Sequence, residues 1–308
     1  MEKFKPEGCL FGLAENQKFI SCEDNLVEAM HRQITLEARA AVCDSNHNLI
    51  VDIPAMKAII LREDGAVGIS DGTTRDIALI SRVNKYVQFK VKEIRTNDNG
   101  EKTALLSRKA AQEECIGCYI KKLAAGDIIE ARVTHLEQFG CFVDIGCGIP
   151  SLIPIDAISI SRISHPSDRF RNGQLIKAVV KGRDGDKICL THKELLGTWE
   201  ENAAGFQAGE TVSGIVRSVE DYGIFVELTP NLAGLAEPRS DLKNGDSVSV
   251  YIKALIPEKM KVKLIIVDVC EKVNPPAECK YFTQERHMDR WLYTPESSLK
   301  VIESIFNE

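Results

Sequence analysis

The chain lacks the excess of positive charge that marks proteins holding nucleic acid by bulk phosphate neutralisation. Its 308 residues carry 39 Lys and Arg against 45 Asp and Glu, a formal net charge of −6. Contact with a polyanion must therefore come from local basic groups and stacking rather than from the overall field. No apolar run approaches the ~20 residues that would span a bilayer, so no membrane partner is expected. Residues 1–7 (MEKFKPE) have no apolar stretch of the kind that opens a secretory signal, and the expectation is a cytoplasmic chain. No nucleophile elbow, P-loop, HExxH or dinucleotide-binding glycine motif occurs, so the chain is not expected to be an enzyme.

Metal and redox signals are equally thin. Ten cysteines would suggest disulfides in a small secreted domain, but in a cytosolic chain of this size they are expected to remain thiols. Cys115 and Cys118 form a single CxxC. With no second pair and no thioredoxin-like setting, they read as a partly buried helical pair. The spacing of His135, His165 and His192 matches no metal motif. No cofactor is expected.

What is present is a repeat. Length alone allows roughly two or three domains, and a hydrophobic fraction of 44% with 27% charged residues argues against dominant disorder. Residues 125–133 (AGDIIEARV) read like 208–216 (AGETVSGIV), and 137–145 (EQFGCFVDI) like 220–228 (EDYGIFVEL); both matches share an offset of 83. A weaker copy lies upstream. Residues 36–39 (LEAR) echo 129–132 (IEAR), and 105–109 (LLSRK) echo 189–193 (CLTHK). Between them, 49–53 (LIVDI) keep a strand pattern without aromatics.

In the middle copy, alternation and Gly punctuation predict strands over 128–136, 140–145, 150–154, 174–181 and 187–191. Asp184-Gly185 is a hairpin signal before the last strand. Five short strands with a longer connection after the third suit a small Greek-key barrel. The connectors 108–123 and 192–206 read as helical. The resulting plan is an N-terminal segment (1–33) of no clear class, a degenerate barrel (34–114), two barrels (125–196 and 208–270) and a tail (271–308). In the tail, Asn274-Pro275-Pro276 mark a boundary. A helix is expected beyond it, with Thr294 as N-cap, Pro295 at its first position and Leu299, Ile302 and Phe306 on one face. Trp291 and Tyr293, near Arg286 and Arg290, read as packing the tail onto the third barrel; a docking patch is the alternative.

At residues 139–145 (FGCFVDI) the sequence resembles the S1 RNA-binding domain family, whose signature is aromatic-Gly-x-Phe-Val-Asp-hydrophobic. Residues 146–152 and Gly234-Leu235 continue the match, and 106–109 (LSRK) and 190–193 (LTHK) resemble the family's closing Leu-Ser-x-Lys. The resemblance spans about 34–270 and implies three tandem OB-fold (S1-type) five-stranded Greek-key barrels; with the connectors and tail read above, the expected fold is all-β repeats with helical connectors plus a C-terminal helical tail. The chain is similar to short bacterial relatives of the small-subunit ribosomal protein that carries these repeats. The resemblance further implies two aromatics and a histidine on the outer face of strands two and three, against single-stranded RNA, with a basic residue on the last strand. Carried over, the middle copy offers Phe139, Phe142 and Lys187, and the third copy Tyr222, Phe225 and Lys261. The histidine's place holds Pro154 and Glu237, and the first copy has no aromatic pair.

The implied function is binding of mRNA or rRNA in translation or RNA metabolism, with the ribosome or RNA-processing proteins as partners. The alternative is a protein-interaction scaffold built on degenerate barrels. Phe139 and Phe142 are three apart, so a plain strand would point them to opposite sides; a bend at Gly140-Cys141 is needed for both to face outward. Lys181, Arg183 and Lys187 surround the last hairpin and also read as a solvated turn. Arg162, Arg169 and Arg171 suggest a phosphate path, offset by Asp168 and Asp184. Residues 126–196 hold nine basic and nine acidic side chains, which predicts modest, strongly salt-dependent binding.

Overall fold

The computed structural model describes residues 4–270 and 279–306. It contains three closed barrels of five strands each. The first comprises β1 (Leu36–Cys43), β2 (Leu49–Asp52), β3 (Lys57–Ile60), β4 (Tyr86–Thr96) and β5 (Lys102–Ser107). The second comprises β6 (Ile128–Glu137), β7 (Gly140–Asp144), β8 (Pro150–Pro154), β9 (Leu175–Asp184) and β10 (Lys187–Thr191). The third comprises β11 (Thr211–Glu220), β12 (Gly223–Thr229), β13 (Leu232–Ala236), β14 (Ser247–Ile256) and β15 (Lys261–Cys270). Each closes in one order: strands one, two, three, five, four, then back to one. Strands three and five run parallel, as in Leu152 opposite Cys189 and Leu235 opposite Lys263. This is the OB-type barrel expected from the repeat. Closure also removes the exposed sheet edges that invite aggregation.

The chain divides into two compact units, Met1–Leu123 with Asp144–Pro150, and Ala124–Val143 with Ser151–Glu308. In the first, α1 (Ala14–Ile20) and α2 (Glu23–His31) occupy the segment that the sequence left unclassified, and α3 (Ile77–Ile80) precedes β4. Phe19, Ile20, Leu26 and Ala29 of these helices join the inward side chains of β1–β5 in one core. Four inward positions, Ala38, Ala40, Ala58 and Ala104, are alanine and fully buried, leaving room for Phe89 in the narrow interior. The first connector forms α4 (Arg108–Cys118), capped by Ser107 Oγ accepting from Ala110 N at 3.0 Å. Cys115 on it is buried and Cys118 exposed.

In the second unit, the connector holds a 3-10 helix over Lys193–Leu196 and is α-helical only over α5 (Trp199–Ala203), where Thr198 and Glu201 form a capping box. Gly197, at φ 83°, breaks the helical path before it. The expected C-terminal helix is absent. A hairpin of β16 (Arg290–Leu292) and β17 (Glu303–Ile305) stands there instead. The stripe Leu299, Ile302 and Phe306 fits helical spacing, but in the extended backbone only Phe306 is buried, at 5% exposure, while Leu299 is fully exposed. Extended backbone serves better, because it sinks Trp291 and Tyr293 to 7% and 5% exposure in the third barrel's core. Tyr293 also donates to Asn231 O at 2.6 Å. The tail thus packs on the third barrel, as its two aromatics suggested. It also grips the middle barrel through Ile128 N to Arg286 O at 2.8 Å and Met288 N to Gly126 O at 2.9 Å. The Asn274-Pro275-Pro276 boundary lies outside the described residues.

His192 is fully buried, edge-on to Phe170 and Tyr281, with Nδ1 2.9 Å from Ile158 O. Burial pushes its pKa down to about 4, against the opposing hydrogen bond. The folded ring is therefore neutral, and the unfolded chain binds the extra proton. Its contribution is complete above about pH 6.5 and is lost as pH falls toward about 4. Thermal melts should show a His192→Gln variant losing less Tm than wild type between those limits; equal losses would contradict this assignment.

Candidate nucleic-acid interface

The aromatic pair of each repeat sits on a two-residue hairpin turn. β6 ends at Glu137 and β7 begins at Gly140, so Phe139 is the second turn residue. In the third barrel Glu220 pairs with Gly223, which places Tyr222 identically. The turn supplies the change of direction that alternation alone forbids. Phe139 is 57% and Tyr222 68% exposed, while Phe142 and Phe225, third in their strands, are half-buried on the outer side. Their neighbours Cys141, Val143, Ile224 and Val226 fill the interior. The rings of Phe139 and Phe142 meet edge-to-face, centroids 5.9 Å apart at 90°; those of Tyr222 and Phe225 are 6.2 Å apart at 86°. Such a pairing contributes roughly 0.5–1.5 kcal/mol beyond area burial and fixes the half-buried ring beneath the exposed one.

The glycines after the turns are a steric necessity. A Cβ on Gly140 would lie 2.6 Å from Ile153 O, and one on Gly223, at φ +156°, would lie 2.7 Å from Ala236 O. The second strand passes that close to the third, so the turn residue before each glycine is held outside the barrel.

From the second aromatic an outer row continues across the third barrel. Phe225 pairs with Leu235, and Leu235 with Lys263. Lys263 is exposed and lies directly in the row, whereas Lys261 lies two residues along the same face. In the middle barrel the position opposite Leu152 is Cys189, and Lys187 opens the strand two residues earlier. Sequence comparison finds Lys261 because it matches Lys187. Lys263 emerges only from the pairing of β13 with β15, although its alternation with Lys261 was the available signal. Pro154 ends β8, and Glu237 lies exposed just beyond β13. The equivalent row of the first barrel is Ile50, Ile59 and Leu105. There the two-residue turn is replaced by the 44–48 loop, folded around Asp44, which accepts from Asn46 N at 2.9 Å and Asn48 N at 2.8 Å.

The basic residues divide sharply. Lys181, Arg183, Lys187, Arg162 and Arg171 are exposed. Arg169 is not available for a phosphate path, because it is buried against Glu227. Glu227 also takes Arg217 in a two-pronged contact, Nε to Oε2 at 2.9 Å and Nη2 to Oε1 at 3.2 Å, and Arg217 Nη1 reaches Asp168 Oδ2 at 3.3 Å. This network joins the β8–β9 connection of the middle barrel to β12 of the third. Burial, with Arg217 beside it, pulls Arg169 below the ordinary arginine value, and Glu227 opposes that. Among the described residues, no three His, Cys, Asp or Glu side chains converge as metal ligands, and no helix is long and apolar enough to cross a membrane.

Two substitutions test this geometry. Gly140→Ala should lower stability by about 1–3 kcal/mol through overpacking; a urea midpoint equal to wild type would contradict the close approach. Glu227→Gln should cost about 3–5 kcal/mol, since it leaves two buried guanidiniums facing a neutral amide; a loss well under 1 kcal/mol would show the network to be solvated.

Residues 122–193 match the family model for the S1 RNA binding domain. Small ribosomal subunit protein bS1 of Leuconostoc lactis is 31% identical over 212 residues, covering 62% of this chain and 49% of that protein. The same protein of Staphylococcus aureus (strain COL) is 31% identical over 198 residues, 58% of this chain and 50% of its own length. The chain thus spans about half the length of the curated relatives it matches. A solved structure from Streptococcus pneumoniae, a multidomain protein with nucleic acid binding domains, covers 76% of this chain and 73% of its own at 12% identity and a TM-score of 0.25, a likeness too loose to carry an inference. Residues 122–193, spanning the middle barrel, thus match the S1 RNA binding domain model, and the chain is similar, over about three fifths of its length, to small ribosomal subunit proteins bS1.

Proposed function

We propose that this protein is a non-enzymatic, cytoplasmic RNA-binding protein that holds single-stranded mRNA or rRNA on the outer faces of its second and third barrels, in translation or RNA metabolism. One observation carries the reading: the same edge-to-face aromatic pair stands at the same hairpin turn in two barrels, with its outer ring in solvent. Every base has a π-face, so an exposed ring offers stacking without sequence preference. Single-stranded RNA suits such a face because its bases are free to splay. Lys187, Lys261 and Lys263 stand where phosphates beside the stacked bases would pass, and phosphate contacts set position rather than sequence. Two weak faces on one chain gain affinity through effective concentration. The relatives named as ribosomal proteins support the ribosome as the setting.

A second reading has its own support. The outer row of the first barrel is aliphatic, and Glu237 borders the third barrel's face with a charge that repels phosphate. These features favour a protein-interaction scaffold, with the first barrel as its docking surface.

Fluorescence anisotropy with a labelled single-stranded RNA of mixed sequence separates these readings. Phe139→Ala with Phe142→Ala should weaken binding by roughly 1–3 kcal/mol for each base that loses its stacking partner. Lys263→Ala should reduce the slope of log affinity against log salt by about 0.7. Absence of binding by wild type at low salt would sink the RNA reading and leave the scaffold.

A further inference from the structure

The turn between β7 and β8 follows a left-handed path. Gly146 (φ 146°), Cys147 (50°) and Gly148 (75°) succeed one another at positive φ. Cysteine rarely adopts that region, and a residue persists there where its surroundings over-determine it. Those surroundings come from the first compact unit, to which residues 144–150 belong. Arg108, Gln112 and Cys115 of α4 stand at i, i+4 and i+7, on one face of the helix, and all three are buried. Gln112 Nε2 donates to Cys147 O at 3.1 Å, and Arg108 Nη2 approaches Gly148 O at 3.5 Å. A Cβ on Gly146 would lie 3.0 Å from Cys115 Sγ, and one on Gly148 would lie 1.8 Å from Arg108 Nη2.

The N-terminal segment completes this seat. Cys147 N donates to Lys5 O at 3.0 Å, and Glu7 N to Asp144 Oδ2 at 2.6 Å. Asp144 Oδ1 takes Gly146 N at 2.8 Å and Gly148 N at 3.0 Å. Glu7 in turn takes Arg108 in a two-pronged contact, Nε to Oε1 at 2.7 Å and Nη2 to Oε2 at 3.1 Å. Apart from Asp144 and the turn itself, every partner lies within residues 5–115.

The third barrel repeats the arrangement with different residues. At the offset of 83, Asn231 stands where the middle barrel has Gly148. Asn231 is fully buried, and it is bound by the chain that precedes its barrel. Its Nδ2 donates to Lys193 O at 2.8 Å and to Gly197 O at 2.9 Å, and its Oδ1 takes Ile160 N at 3.0 Å. Ser161 N donates to Pro230 O beside it at 3.0 Å. Lys193 and Gly197 lie in the segment after the middle barrel's last strand, as α4 lies after the first barrel's.

We infer that the second and third barrels are each seated, through the turn between their second and third strands, on the connector that follows the preceding barrel. The first barrel carries no aromatic pair; with α4 and residues 5–7 it serves as the brace of the middle barrel's RNA face. Glu7, Arg108 and Gln112 are positioning residues: they fix the turn whose two strands carry Phe142 and Leu152. The seating stands on the contacts above, whereas its consequence for RNA rests on the RNA-binding reading.

Hydrogen exchange and RNA anisotropy on the full chain test the brace. Arg108→Lys keeps a charge beside Glu7 but loses the planar fork. Gln112→Ala frees Cys147 O and leaves the ion pair intact, so it decides the matter where Arg108→Lys fails to fold. Faster exchange of the β7 and β8 amides, with those of β12 and β13 unchanged, is the expected result; unchanged exchange in β7 and β8 overturns the seating. RNA affinity is then read in two backgrounds. With Tyr222→Ala and Phe225→Ala, where the middle face carries the binding, a brace variant should weaken it about tenfold. With Phe139→Ala and Phe142→Ala the same variant should change nothing. Equal weakening in both backgrounds marks a general loss of structure and overturns the positioning role, as does no weakening in either. If wild type binds no RNA, the RNA-face reading fails and the exchange result alone decides the seating.

Discussion

In the middle and third barrels the first hairpin turn presses so close to the third strand that no methyl group fits between them. Gly140 and Gly223 stand at that approach, and the surroundings of both are backbone carbonyls with leucine side chains. The residue before each glycine cannot turn inward, and a large ring there projects into solvent. The ring two positions after the glycine follows strand alternation to the same side, so the pair faces outward together. Where the approach is absent, as in the first barrel, a longer loop closes the hairpin and the outer row is aliphatic.

The second unit holds its two aromatic pairs on one packed body. The Arg169–Glu227–Arg217 network ties the middle barrel's long connection to the third barrel's second strand. The tail then runs across both barrels, with Tyr281 against His192, Phe306 against Ile128 and Val179, and Trp291 and Tyr293 in the third core. A buried carboxylate between two guanidiniums is a poor source of net stability but an intolerant one: it works only with every partner present. That intolerance suits a joint whose purpose is a fixed register between neighbouring barrels.

Much of this architecture was legible in the chain. The strands read from the middle copy, including 150–154 and 187–191, agree with β6–β10 because period-two burial and glycine punctuation are local signals. The position of the aromatics was legible as well; their common outward direction came from the family resemblance and not from alternation, since it depends on where the turn falls. Lys263 was missed because its place beside Leu235 is fixed by a parallel pairing between strands distant in sequence. Arg169 read as a surface base because nothing local marks Glu227, 58 positions away, as its partner. The tail helix failed for a related reason. Leu299, Ile302 and Phe306 have helical spacing, but burial of Trp291 and Tyr293 on a distant barrel decides the backbone.

The central claim is that bases stack on the outward aromatic pairs of the middle and third barrels. Zero-length ultraviolet crosslinking of a uridine-rich single strand to the full chain, with the crosslinked residues mapped by mass spectrometry, reads that contact directly. The account predicts crosslinks at Phe139 or Phe142 and at Tyr222 or Phe225, with none at the Ile50–Ile59 row. Crosslinks confined to the first barrel, or scattered without the aromatic pairs, would contradict it.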